Sequence, residues 1–115
     1  MLVCLSFDLD WVPDFIINDL VKILNKYEIP ATFFMTNPIG IDLPECIETA
    51  IHPNFLPYST QGNDEDSVLK YCHEQLPGYC GARTHRLYWH SGLDLKLAHY
   101  GCLYDSSLFL PLQPN

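Results

Sequence analysis

Two aspartates separated by one residue follow the first apolar run of the chain, residues 2–5. In an extended segment, alternate side chains point to the same side, so Asp8 and Asp10 should lie together at the carboxyl end of a buried strand. Parallel α/β proteins place their active sites at that end. Two adjacent carboxylates repel each other unless a cation or a shared proton compensates the charge. The pattern favours a metal-dependent catalytic pair, and the alternative is a turn with Asp10 near a helix N-cap.

Two histidines also follow apolar, strand-like segments. His52 comes after residues 50–51, and His85 follows residues 79–83. Because the carboxyl ends of parallel strands meet at one rim, both imidazoles should lie near Asp10. One carboxylate and two imidazoles with an open position form a catalytic ligand set for zinc and related divalent ions. The sequence therefore predicts a metal site, with Zn²⁺ as the expected ion.

The residues around His85 indicate a surface for a substrate. An arginine such as Arg83 at a strand end can orient a carboxylate through a bidentate hydrogen bond. Tyr88 and Trp89 follow closely, and exposed aromatic rings suit the apolar faces of a sugar, although both rings could instead belong to the core. His90 remains a candidate acid or substrate contact.

The elements that must position these residues alternate between apolar runs and amphipathic segments. Residues 14–27 predict an amphipathic helix, and residues 31–36 predict a second strand. The predicted inward face of the helix consists of Phe15, Ile16, Leu20, Ile23, Leu24 and Tyr27. A strand–helix–strand of about thirty residues is a parallel βαβ unit. Further predicted elements are a strand ending at 50–52, a helix from 64 or 66 to 76, a strand at 79–83, a helix at 92–99 and a strand at 102–104.

This alternation predicts an α/β fold of parallel βα units. Five such steps correspond to part of a (β/α) barrel, because a complete barrel needs ~250 residues. We expect residues 1–115 to form one partial domain of this kind. A partial barrel leaves an open sheet edge, which favours self-association.

Composition narrows the possible partners and compartment. The net charge of −8 argues against binding to nucleic acid or to an anionic membrane, since both require basic surface. The five cysteines form no CxxC pair, no signal peptide is visible, and no apolar run approaches the ~20 residues of a membrane span. We therefore expect a cytoplasmic protein with reduced thiols.

Several short motifs, in this order, resemble the NodB-homology polysaccharide deacetylases, a carbohydrate esterase family with a deformed (β/α) barrel. The resemblance corresponds to an N-terminal portion of that domain. It implies metal-dependent hydrolysis of an N-acyl (acetamido) group on a carbohydrate. The segments that carry it are Ser6-Phe7-Asp8-Leu9-Asp10-Trp11, Pro30-Ala31-Thr32-Phe33-Phe34, Ile51-His52-Pro53-Asn54-Phe55, Gly81-Ala82-Arg83-Thr84-His85 and Tyr104-Asp105-Ser106-Ser107-Leu108-Phe109.

The resemblance also implies individual roles. Asp8 matches the base that activates water, and Asp10 matches the metal-binding acid, although Leu9 separates the two acids, which are adjacent in most members. The family has a second histidine four residues after the one matched by His52, where this chain has Leu56. His85 is our proposed replacement. The family's late general-acid histidine has no counterpart, and we expect substrate contacts from Asn54, Arg83 and Trp89.

Two alternatives remain open at this point. The segment from Phe7 to Asp10 also resembles the opening of the haloacid-dehalogenase-type phosphatases, in which Asp8 would be a nucleophile and Mg²⁺ the ion. Those enzymes usually have Gly-Thr after the second acid, whereas this chain has Trp11 and Val12. The other alternative is a non-catalytic carbohydrate-binding remnant.

Overall fold

Three short parallel strands and three helices make up the chain in this computed structural model, which describes residues 3–76 and 78–108. The strands are hydrogen-bonded in the order β1-β2-β3. In chain order the elements are β1 (Leu5–Asp8), α1 (Asp14–Lys26), β2 (Ala31–Met35), β3 (Ile47–Ile51), α2 (Glu65–Gln75), a 3₁₀ turn (His85–Leu87) and α3 (Ser91–His99).

The first βαβ unit matches the prediction closely, but its helix buries a stripe that only partly overlaps the predicted one. The buried residues of α1 are Ile17, Val21 and Leu24, so the prediction is confirmed for Leu24. It is wrong for the remaining predicted inward residues, of which Leu20 is half-buried and the others are exposed, namely Phe15, Ile16, Ile23 and Tyr27. The apolar arc of α1 is wider than the stripe that packs in the core, so periodicity alone does not select which of its residues are buried. Contact with the sheet selects the buried stripe.

The core lies between one face of the sheet and the helices. Phe33 and Ile51 are fully buried on that face, where they pack with residues of α2 and α3 such as Leu69 and Leu93. Side chains of β2 and β3 alternate between the faces, so Phe34 points to the other side of the sheet. There the guanidinium carbon of Arg83 lies 4.1 Å from the centroid of the Phe34 ring.

The first strand differs from its prediction. β1 covers Leu5–Asp8 rather than residues 2–5, and Met1 and Leu2 lie outside the described residues. Burial on both faces is also wrong, since Leu5 is 38% exposed and Val3 is 65% exposed. The physical reason is position, because β1 is the edge strand of the described sheet and has only β2 as a partner.

The predicted strands at 79–83 and 102–104 are reduced to single bridges, so these two strand predictions are wrong in extent. Ala82 pairs in parallel with Ile51 on one side and with Asp105 on the other. The backbone N–H of Arg83 donates to Ile51 at 3.0 Å, and that of Ser106 donates to Ala82 at 2.8 Å. These bonds continue the parallel ladder past β3, which confirms the α/β class with parallel βα units.

The other helices agree with their predictions within a residue or two. Asp64 caps α2, where its carboxylate accepts the Ser67 N–H at 2.7 Å. Gly101 follows the end of α3 with a φ of 88°, a backbone conformation that glycine adopts without strain. No helix of the described segments is long and apolar enough to cross a membrane. The predicted tail lies outside the described residues from position 109 onward.

Candidate metal centre and catalytic residues

Asp10, His52 and His85 come together in the structure. One potential ligand atom from each residue lies within 4.8 Å of the other two. His52 Nε2 lies 2.9 Å from Asp10 Oδ2, and His85 Nδ1 lies 3.0 Å from Asp10 Oδ1. The His52 and His85 rings meet edge to face, with centroids 5.6 Å apart. The cluster thus contains one carboxylate between two roughly perpendicular imidazoles.

The parallel strands bring these residues to one rim. Asp10 lies two residues past β1, and His52 directly follows β3. The His52 N–H donates to the Met35 carbonyl at 2.8 Å, so the ladder with β2 continues up to the ligand itself. The His85 N–H donates to the Pro53 carbonyl at 2.9 Å, which ties the third residue to the loop after β3.

Two buried polar residues support the cluster from below, and the sequence interpretation missed both. The Thr36 hydroxyl donates to Asp10 Oδ1 at 3.3 Å. Gln61 donates to the Thr36 carbonyl at 2.7 Å and accepts the Asn54 N–H at 2.6 Å. Thr36 directly follows β2, so its strand-end position was a usable signal. Nothing in the sequence distinguishes Gln61, which acts through contacts that only the fold creates.

Among the described residues, three of the five non-glycine residues with a positive φ lie next to two of the three cluster residues. Trp11, after Asp10, has a φ of 53°, and Arg86 and Leu87, after His85, have φ values of 58° and 55°. Left-handed backbone is unfavourable for bulky L-residues and costs ~1–3 kcal/mol at each position. Such strain persists where surrounding contacts hold the chain in place, and it is typical of binding and catalytic sites.

His52 carries an unusual buried atom. Its side chain is 2% exposed, and its Nδ1 has no hydrogen-bond partner among the described residues. A buried polar atom without a partner costs ~1–3 kcal/mol. The only polar contact that the described structure gives this ring is therefore the one on Nε2, the nitrogen that faces Asp10.

Asp8 lies on the same rim but in a separate hydrogen-bond system. Arg83 Nη1 donates to Asp8 Oδ1 at 3.1 Å and to Ser6 Oγ at 3.0 Å, while Nη2 donates to Ser106 Oγ at 3.1 Å. With Phe34 beneath it, the guanidinium is held on several sides. The Asp8 side chain is 41% exposed and opens into a cavity of about 520 Å³. Asp8 is thus oriented and accessible, and it is not one of the clustered ligand atoms.

The remaining predicted residues lie apart from the cluster. The Asn54 side chain accepts the Leu56 N–H at 3.0 Å, and the Trp89 indole donates to Asp94 at 3.0 Å. His90 Nε2 lies 2.8 Å from Glu65. That contact, with smaller contributions from Lys96 and Tyr88, lowers the pKa of Glu65 to about 2. Substrate contacts by Asn54, Arg83 and Trp89 stay predictions.

Fold and geometry together define a parallel α/β protein with a carboxylate and two histidines at the carboxyl ends of its strands. The chain belongs to the WbmS-like polysaccharide deacetylase family, which it matches over residues 5–115. It is also similar to a crystal structure from Bordetella bronchiseptica, assigned as a polysaccharide deacetylase involved in O-antigen biosynthesis. The TM-score is 0.77 at 26% identity, over 88% of this chain.

The chain spans 44% of the length of that relative. A search of curated proteins found no match. The family assignment confirms the resemblance to polysaccharide deacetylases, and the coverage agrees with part of a deformed barrel. The family assignment also favours the deacetylase hypothesis over the phosphatase alternative.

Proposed function

We propose that this chain provides the metal site and the base of a deacetylase that hydrolyses the N-acyl group of an amino sugar. The observation that carries the proposal is the convergence of Asp10, His52 and His85 at the rim where Asp8 also lies. Family membership supports the reaction class. Because the relative is about twice as long as this chain, the substrate and the activity of the whole protein are part of the proposal.

The residues present fit a divalent metal ion. A carboxylate and two imidazoles are the donor types that zinc and related ions take in catalytic sites with an open position. His52 and His85 both aim a ring nitrogen at the same carboxylate, and Thr36 orients that carboxylate from behind. A hydrogen bond of this kind fixes a ligand and tunes its affinity for the metal. When bound, such an ion polarises an amide carbonyl and lowers the pKa of water to ~7.

Asp8 is the proposed general base. Arg83 fixes its Oδ1, and no hydrogen bond to Oδ2 occurs among residues 3–76 and 78–108. Oδ2 is therefore available to accept a proton from the water that attacks the amide carbon. General-base transfer of this kind contributes ~10²–10⁴-fold in rate. The scissile C–N bond then breaks as the proton that Asp8 took from the water passes to the leaving amine, giving a carboxylate and a free amino sugar.

The test is acetate release from an N-acetylated amino-sugar oligomer, measured with zinc, without zinc and after chelation. We expect turnover only with metal. Asp8→Asn should lower kcat by at least about 100-fold while zinc affinity stays at the wild-type value. Asp19→Asn is the matched control, because Asp19 is exposed and, within residues 3–76 and 78–108, its ion pair is with Lys22 of the same helix. Turnover of a generic phosphate ester that Asp8→Asn abolishes, without any deacetylation, would contradict the proposal.

A further inference from the structure

Trp11 is a large exposed side chain in contact with the metal cluster. It directly follows Asp10 and is 73% exposed. Its ring centroid lies 5.4 Å from that of His85, with the two rings nearly perpendicular at 83°. Its indole N–H makes no hydrogen bond within the described part of the chain. The ring therefore stands beside the proposed ligands with most of its surface open to whatever occupies the rim.

The backbone holds Trp11 in that position. Its φ of 53° lies in the left-handed region, which a bulky L-residue rarely adopts. The preceding residues explain the geometry: Leu9 is buried in the core, and Asp10 turns toward the two histidines. Because the chain bends sharply there, the indole is directed out of the core. Residues kept in such conformations are concentrated at binding and catalytic sites.

The second tryptophan is in a different environment. Trp89 is 40% exposed, and its indole donates to Asp94 of α3. It borders a cavity of about 350 Å³ that is formed with α3 and residues 102–105. No contact between Trp89 and the metal cluster is found among the described residues. The chain thus has one tryptophan whose indole is hydrogen-bonded to α3 and another whose exposed indole lies beside the proposed ligands.

We propose that Trp11 is the sugar-stacking residue of this site, with its indole face against the apolar C–H face of the pyranose that carries the N-acyl group. The assignment rests on the proposed function and specifies how the substrate is held. An indole offers a large apolar surface with only two side-chain torsions to restrict, so little conformational entropy is lost on binding. The net charge of −8 favours an uncharged sugar over an anionic one.

Because this chain has only two tryptophans, fluorescence can observe each one separately. In Trp89→Phe the signal comes from Trp11, and in Trp11→Phe it comes from Trp89. We expect a tetramer of N-acetylglucosamine, added with zinc, to change the Trp11 emission in a saturable way and to leave the Trp89 emission unchanged. Acrylamide should quench Trp11 strongly in the free chain and weakly after the sugar binds. The proposal is overturned if acrylamide quenches Trp11 only weakly in the free chain, or if the Trp11 emission does not change when the sugar is added.

Affinity measurements separate stacking from a structural role. Trp11→Ala should weaken tetramer binding by roughly tenfold, which corresponds to about 1.4 kcal/mol, and Trp11→Phe should recover most of the loss. Zinc affinity should stay unchanged in both variants. A loss of zinc binding in Trp11→Ala, or wild-type sugar affinity in that variant, would refute the stacking role. If the wild-type chain bound no zinc and released no acetate, the proposed function itself would fail, which is a distinguishable result.

Discussion

Gln61 offers the sharpest test of how the fold supports the site. Its buried amide joins three parts of the structure, because it accepts the Asn54 N–H, donates to the Thr36 carbonyl and lies 3.5 Å from the Cys72 sulfur. Gln61→Leu keeps a similar volume but removes both strong hydrogen bonds. Two buried backbone groups are then left without partners. At ~1–3 kcal/mol for each, the free energy of unfolding should fall by ~2–6 kcal/mol.

The assay is urea unfolding followed by circular dichroism, with zinc calorimetry on the same samples. Thr36 also donates to Asp10, so the loss of Gln61 should weaken zinc binding by ~10–100-fold, as is typical when the outer partners of ligands are removed. Gln75→Leu is the matched control. Gln75 is exposed on α2, and its replacement should change stability by less than ~0.5 kcal/mol. A Gln61→Leu variant within that same margin of the wild type would refute this account of the network.

Three further predictions concern Asp8, the surface network and the sheet edge. Arg83→Lys should lower kcat by about tenfold or more at unchanged zinc affinity, because an ammonium group cannot hold Ser6, Asp8 and Ser106 at once. Arg86→Lys should have little effect, and equal losses in both variants would contradict the role of Arg83. The pKa of Glu65 is about 2 in the folded chain, against an ordinary value of 4.5. Ionised Glu65 therefore stabilises the fold fully at pH values above 4.5, and this contribution is lost as the pH falls toward 2. Urea unfolding should show the wild type losing more stability than Glu65→Gln as pH falls from 4.5 toward 2, and parallel curves would argue against this. Light scattering should show concentration-dependent association of the chain through the β1 edge. This association should be reduced in Val3→Lys. A wild-type chain that stays a monodisperse monomer would contradict the predicted association.

Long periodic elements could be predicted from the sequence because local residues determine them. The periodic spacing of α1, the capping acid Asp64 and the closing Gly101 each depend on a few neighbouring residues, and the structure has these elements close to their predicted bounds. Asp10, His52 and His85 could be selected because residues after parallel strands share one rim.

Other features depend on distant contacts and could not be predicted. Which stripe of α1 is buried depends on the sheet that it meets, and the shortening of the strand around Ala82 to a bridge depends on Asp105, 23 positions later. The support given by Gln61 requires β2, the loop after β3 and α2 to be packed together. The exposure of Trp11 follows from one left-handed residue, for which the sequence offers no signal.

Zinc calorimetry on single-residue variants is the decisive test of the metal site formed by Asp10, His52 and His85. We expect one zinc ion per chain. Affinity should be lost or lowered at least about tenfold in Asp10→Asn, His52→Ala and His85→Ala. It should be unchanged in His99→Ala, which alters an exposed histidine at the end of α3. If His52→Ala abolished zinc binding while His85→Ala bound zinc as tightly as the wild type, His85 would not be a ligand and the proposed site would be wrong.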